Sequence, residues 1–167
     1  TPPQIVQWNL PRLAEALMPL TDGDPKIAVI PARTLIESFM GRFRSAWLSG
    51  MREKLGLDGE EIHDQVLAER LLSWMADRRA DYTSTFRDLS NPARVDAIAD
   101  GDAEFATWRA DWRDRQRRSN RASGEISRAM NRVNPAYIPR NHHVEAALRA
   151  AADASDVAPL NRLHLVL

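Results

Sequence analysis

The residues of this sequence best suited to chemistry are His142, His143 and Glu145. On a helix, His142 and Glu145 stand at i and i+3, a spacing at which two side chains can reach one metal ion. No third ligand follows at helical spacing, which favours a surface or capping role. His63 and His164 have no motif around them. Asp22-Gly23-Asp24 brings two carboxylates to a turn, but the rest of a calcium loop is missing, and a plain turn is favoured. The densest cationic run is Arg109, Arg113, Arg115, Arg117, Arg118 and Arg121, with Trp108 and Trp112 interleaved. Such a mixture can serve nucleic-acid binding. Asp111 and Asp114 interrupt it, which favours a solvated, salt-bridged helix face.

The usual catalytic motifs do not assemble. The 7 glycines are scattered singly, so neither a phosphate-binding loop nor a dinucleotide fingerprint forms. No serine or threonine has a base at a telling spacing, and no nucleophile elbow is present. The absence of cysteine excludes disulfides, zinc–thiolate sites and cysteine nucleophiles, and fits a reducing compartment. The 23 basic residues balance 23 acidic ones, leaving no global field to draw the chain to nucleic acid or to an acidic membrane. A 44% hydrophobic and 28% charged composition is that of a globular chain. No apolar run approaches the ~18 residues that would span a membrane. The sequence opens at Thr1 without methionine, which suits methionine removal and a piece of a longer protein equally well.

The elements that would position these residues are helices. Ile5, Trp8, Leu13 and Leu17 predict an apolar stripe between Pro3 and Leu20, with a kink or restart at Pro11. Residues 21–25 read as a turn. Leu35, Ile36, Phe39, Met40, Phe43, Trp47, Met51 and Leu55 predict a second helix from Pro31 or Ala32, its stripe buried as core, stopped by Gly56. Ile27–Ile30 is the single strand-like stretch, too short to support a sheet. Asp58 is expected to cap a third helix whose buried side carries Ile62, Val66, Leu67, Leu71, Leu72 and Met75. Shorter helices are expected over 81–89 and 92–98. A helix over 103–118 places Phe105, Trp108 and Trp112 on one face, and a further one carries Ile126, Met130 and Val133. Asn141 is expected to cap a helix with Val144, Ala147, Leu148 and Ala151, and Pro159 opens a last turn. The expected fold is all-α: an irregular multi-helix bundle forming one helical domain over 1–167.

Several stretches together resemble one family. Trp8-Asn9-Leu10 followed by Arg12-Leu13-Ala14 resembles the W-N-L-x-R-L-A segment of the SelO (YdiU) family. Met51-Arg52-Glu53-Lys54-Leu55-Gly56-Leu57 resembles its M-R-x-K-L-G-L stretch. Asp81-Tyr82-Thr83, with Phe86-Arg87 and Leu89-Ser90, is similar to D-Y-T-x-x-F-R-x-L-S. Phe105 to Trp108, followed by Trp112, is similar to a further family element. Met130 to His142, with Val133-Asn134-Pro135 and Arg140-Asn141, resembles M-x-x-V-N-P-x-x-x-x-R-N. These matches occur in the family's order over nearly the whole chain.

The resemblance implies a kinase-like fold that transfers AMP, rather than phosphate, from ATP to protein hydroxyls with Mg or Mn. It places the family's nucleotide, metal and catalytic residues upstream of Trp8. It therefore implies no catalytic, cofactor or metal residue in this chain, whose helices correspond to the C-terminal lobe and tail. The expected partners are a kinase-like catalytic lobe upstream of Thr1 and the protein substrates of the complete enzyme; a membrane is not expected, and nucleic acid is disfavoured. The redox tail with selenocysteine or cysteine that family members carry has no counterpart among these residues. The shared residues Trp8, Asn9, Arg12, Asp81, Tyr82, Phe86, Arg87, Asn134, Pro135, Arg140 and Asn141 are expected to be structural. Arg12, Asp81, Arg87 and Arg140 would form buried ion-pair links, Tyr82 and Phe86 one packing face, and Asn141 a cap. The remaining alternatives are a free-standing helical interaction module and an arginine-rich nucleic-acid binder.

Overall fold

A computed structural model describes residues 2–20 and 25–166. Among them every regular element is helical, with no strand. The helices are α1 (Pro2–Leu17), α2 (Pro25–Leu55), α3 (Asp64–Arg78), α4 (Tyr82–Leu89), α5 (Pro92–Gly101), α6 (Ala103–Arg117), α7 (Ser123–Val133), α8 (Asn141–Ala154) and α9 (Ala158–Val166), with a 3₁₀ turn over Met18–Leu20. The chain divides into two compact units, Thr1–Gly50 and Met51–Leu167.

In the first unit, α1 runs through Pro11 without the expected restart. The helix is exposed along most of its length, so the carbonyl that loses its partner one turn before Pro11 faces no dry core. The turn expected over 21–25 lies outside the described residues for positions 21–24. α2 starts at Pro25 rather than at Pro31 or Ala32, and the strand-like 27–30 is helical. The α2 stripe expected to form core is not enclosed here, with Leu35 and Phe43 exposed, and on the α1 stripe Trp8 is 67% exposed and Ile5, Leu13 and Leu17 are also exposed. Two helices alone offer no third layer to close over them.

The second unit builds a core. Met51 and Leu55 at the end of α2 join Leu67, Leu71, Trp74 and Met75 of α3, Phe86 and Leu89 of α4, and Val95 of α5. Phe105, Trp108 and Trp112 of α6 and Ile126 and Met130 of α7 complete it. α3 packs on α6, α4 on α5, α5 on α6, and α8 on α9. The aromatic rings run as a file, Trp74 to Phe105 at 4.8 Å, then Trp108 at 5.3 Å and Trp112 at 5.3 Å. Both buried indoles of α6 donate to backbone carbonyls, Trp108 to Leu67 and Trp112 to Leu55.

Local signals explain most boundaries in this unit. Asp81, Asn91 and Asp102 sit at N-caps, and their side chains accept from the N–H groups of Ser84, Ala93 and Phe105. α3 departs from expectation. It starts at Asp64, six positions after the expected cap Asp58, with Ile62 exposed before it and Val66 exposed on it. The Asp64 carboxylate is buried among arginines instead of capping its own helix, and that long-range pull sets the start. Asn141 is the first residue of α8, and Arg140 stands at its N-cap with no side-chain cap hydrogen bond.

Candidate functional site

A helix leaves its last four carbonyls without partners inside the helix. At the end of α2 all four are taken. Gly56 adopts φ +64°, and its N–H reaches the Glu53 carbonyl at 3.1 Å while the Leu57 N–H reaches Arg52 at 2.9 Å. This is the Schellman arrangement that a left-handed residue permits. The Lys54 carbonyl accepts from Asn134 Nδ2 at 2.8 Å. The Leu55 carbonyl accepts from Trp112 Nε1 at 2.8 Å and from Gln116 Nε2 at 2.9 Å. A Cβ at Gly56 would lie 2.6 Å from Ile126 Cγ2 and 2.8 Å from Met130 Cγ and Sδ, so α7 packs directly on this turn.

The stretches 51–57, 81–90 and 130–134 meet here. Asn134 is fully buried. Its Oδ1 accepts from Lys54 Nζ at 3.4 Å, and its backbone carbonyl accepts from Arg87 Nη1 at 3.0 Å. Arg87 also donates to the Asn131 carbonyl at 3.2 Å. The Lys54 ammonium lies 5.8 Å from the Tyr82 ring centre and 5.5 Å from that of Phe86, within cation–π range. Tyr82 and Phe86 pair at 4.7 Å. Burial pushes the Tyr82 hydroxyl above its ordinary value.

A second cluster fixes the loop before α3. Asp64 is 1% exposed and accepts from Arg52 Nε at 2.7 Å, Arg115 Nε at 2.7 Å and the Glu61 N–H at 2.9 Å. Burial alone would raise this carboxyl. The bonds from Arg115, the Glu61 N–H and Arg52 outweigh it and hold the group below the ordinary carboxylate range. Arg115 Nη2 also closes on the Asp58 carbonyl at 2.9 Å. Glu61 is drawn down chiefly by its hydrogen bond from Arg118. At the start of α6, Asp102 collects the Phe105 N–H at 3.0 Å, Trp74 Nε1 at 3.0 Å and Arg78 Nε at 2.8 Å. Those bonds, the backbone one first, bring its carboxyl down to about 2.

The shared residues fall into different settings. Tyr82, Phe86, Arg87 and Asn134 converge on the end of α2. Trp8, Asn9 and Arg12 lie on α1 in the first unit, where exposed Arg12 pairs with Glu15 at 3.0 Å and lies 5.9 Å from the Trp8 ring centre. Pro135, Arg140 and Asn141 are exposed on the connection into α8. The expected buried ion-pair links are therefore not at Arg12, Asp81, Arg87 or Arg140. Arg12 is exposed, Asp81 is an exposed cap, Arg87 binds carbonyls, and Arg140 is exposed. The buried pairs join Asp64 to Arg52 and Arg115, which sequence reasoning missed. The available signal was the spacing 105, 108, 112, 115, which puts Arg115 on the aromatic face of α6.

The other arginines of the run sit on the surface. Arg109 and Arg113 bind Asp96, Arg117 binds Asp114, and Arg118 binds Glu61. His142 and His143 are exposed with rings 4.0 Å apart, while Glu145 pairs with Arg149. Among the described residues, no group of three or more His, Cys, Asp or Glu is placed to hold a metal ion. No described helix is long and apolar enough to cross a membrane.

The sequence of this chain has known relatives. Residues 1–167 match the family described as protein adenylyltransferase SelO. A protein nucleotidyltransferase YdiU of Rhizobium johnstonii is 45% identical over 99% of this chain and 34% of its own length. Proteins of the same name from Shouchella clausii, 44% identical, and from a Bradyrhizobium species, 42% identical, are covered to 34% and 35%. The chain thus spans about a third of the length of these relatives, and it matches their C-terminal part. The chain belongs to the SelO family of protein adenylyltransferases.

Proposed function

We propose that this chain is the helical supporting region of a SelO-type enzyme that transfers AMP from ATP to serine, threonine or tyrosine hydroxyls of other proteins. ATP and a divalent Mg or Mn ion would be held by a kinase-like region outside these residues, in the bacterial cytoplasm. The observation that carries this reading is the use made of the shared polar groups. Lys54, Arg87 and Asn134 direct their polar atoms to backbone carbonyls, to one another and, for Lys54, to two rings, so their role is to lock helix ends rather than to meet a substrate. The exposed apolar side chains of α1 and α2, Trp8 foremost, supply a face against which the catalytic region would pack.

The test is labelling. The chain is incubated with labelled ATP, manganese and a protein substrate, alone and after co-expression with the rest of a family enzyme. AMP transfer is expected only in the second case, and robust labelling by the chain alone would sink the reading. The closed core of residues 51–167 favours a second reading, a free-standing interaction module. The genomic sequence upstream of Thr1 separates the two: an in-frame kinase-like region supports the first, and a promoter with a start codon the second.

A further inference from the structure

A cleft of about 630 Å³ opens between the start of α4, the connection 135–140, α8 and α9, away from the packed end of α2. Its walls are largely apolar, with Ile138, Pro139 and Leu163 facing Ala147, which is buried. Its cationic groups are Arg140 and Arg162, and Thr83, Ser84, Tyr137 and His143 add neutral polar groups to the lining. Among the described residues, neither arginine lies within 4.0 Å of a carboxylate. Asp81 is the single acidic residue lining the cleft. Its carboxylate is committed to the Ser84 N–H at 2.7 Å, leaving Arg140 only a weaker attraction to it. α8 begins at the same rim with no side-chain cap.

We propose that this cleft binds a small organic anion, an apolar body carrying one carboxylate or phosphate. The volume lies in the range of roughly 300–1,000 Å³ typical of small-molecule sites, which pair apolar walls with a few convergent polar groups. Guanidinium groups present forked donors that match both anions. The apolar walls take the body of the ligand, and the arginines take its charge. This assignment does not depend on AMP transfer.

The probes are benzoate, phenyl phosphate, inorganic phosphate and the neutral benzamide, titrated into the isotope-labelled chain and followed by NMR. Benzoate or phenyl phosphate is expected to shift the amide signals of Ser84, Ile138, His143 and Leu163, and the stronger of the two identifies the anion. The double variant Arg140→Gln with Arg162→Gln, at two exposed positions, should weaken that binding about tenfold or more, the scale of losing charge-assisted hydrogen bonds. Arg128→Gln on α7, also exposed, should leave it unchanged. The proposal is overturned by silence at the cleft, or by benzamide matching benzoate where benzoate is the stronger probe. It is equally overturned by inorganic phosphate matching phenyl phosphate where that probe is the stronger, by a double variant that binds like the native chain, or by an equal loss in Arg128→Gln.

Discussion

Arg115 donates a 2.7 Å hydrogen bond to Asp64 across 51 positions of sequence, and both residues are almost wholly buried, at 4% and 1% exposure. The pair holds the 58–63 loop against α6, because the same guanidinium binds the Asp58 carbonyl. Removing one partner of a buried pair leaves the other charge unpaired, which costs about 3–5 kcal/mol. Asp64→Ala leaves Arg115 to the partly exposed Glu61 at 3.2 Å and Arg52 to the exposed Glu60 at 3.1 Å, and is expected to cost up to that range by urea denaturation. Replacing Asp64, Arg52 and Arg115 together by apolar residues of similar volume should restore much of the loss; a triple variant as unstable as the single one would contradict this account.

Asn134 carries a similar burden without a charge. Asn134→Ala empties a fully buried side-chain position and leaves the part-buried Lys54 carbonyl without its side-chain donor. The expected cost is about 1–3 kcal/mol. Amide hydrogen exchange should rise locally at the end of α2 and around 130–134, and unchanged protection there would count against the role given to Asn134.

Gly56 combines two constraints. Its φ of +64° disfavours any side chain, and a Cβ would press on Ile126 and Met130. Left-handed backbone costs a non-glycine residue roughly 1–2 kcal/mol, and overpacking adds about 1–3 kcal/mol. Gly56→Ala should therefore lower thermal stability sharply. Gly41→Ala, at an exposed helical position with open space around it, should not lower it and serves as the control.

Asp102 sets an acid-side prediction. Its folded carboxyl titrates at about 2, below the ordinary carboxylate value. A depressed folded pKa contributes stability that is present above the ordinary value, about 3.9, and is lost as pH falls from there through the folded value. Denaturation midpoints at pH 6, 4 and 2.5 should therefore fall less steeply for Asp102→Asn than for the native chain. Parallel curves would remove Asp102 from the acid response.

How much of this was legible in the sequence depends on how far apart the partners lie. Asn91 ahead of Pro92, the glycine after Leu55, and the Phe105–Trp108–Trp112 spacing act within one or two turns, and they marked α5, the end of α2 and the buried face of α6. The start of α3 was not legible, because Asp58 satisfies every local rule for a cap. Asp64 prevails through arginines 12 and 51 positions away. The role of Arg115 was hidden by five neighbours of the same type, of which Arg109, Arg113 and Arg117 share its helix and differ in the side they occupy. The exposure of the α2 stripe was not legible, because periodicity reports amphipathicity, not what lies opposite it.

The fully occupied end of α2 also says where the chain can change length. Three elements are measured against Lys54, Leu55 and Gly56: α6 through Trp112 and Gln116, α7 through Ile126 and Met130, and the residue after α7 through Asn134. Inserting one residue between Leu55 and Gly56 would rotate the Lys54 and Leu55 carbonyls by about 100° relative to the partners that follow them. Past Arg118, which binds Glu61, the connection 119–122 has no comparable ruler, and Ser119 bonds only locally. Insertions and deletions in this region should accumulate there, while the seven positions from Met51 to Leu57 keep their length.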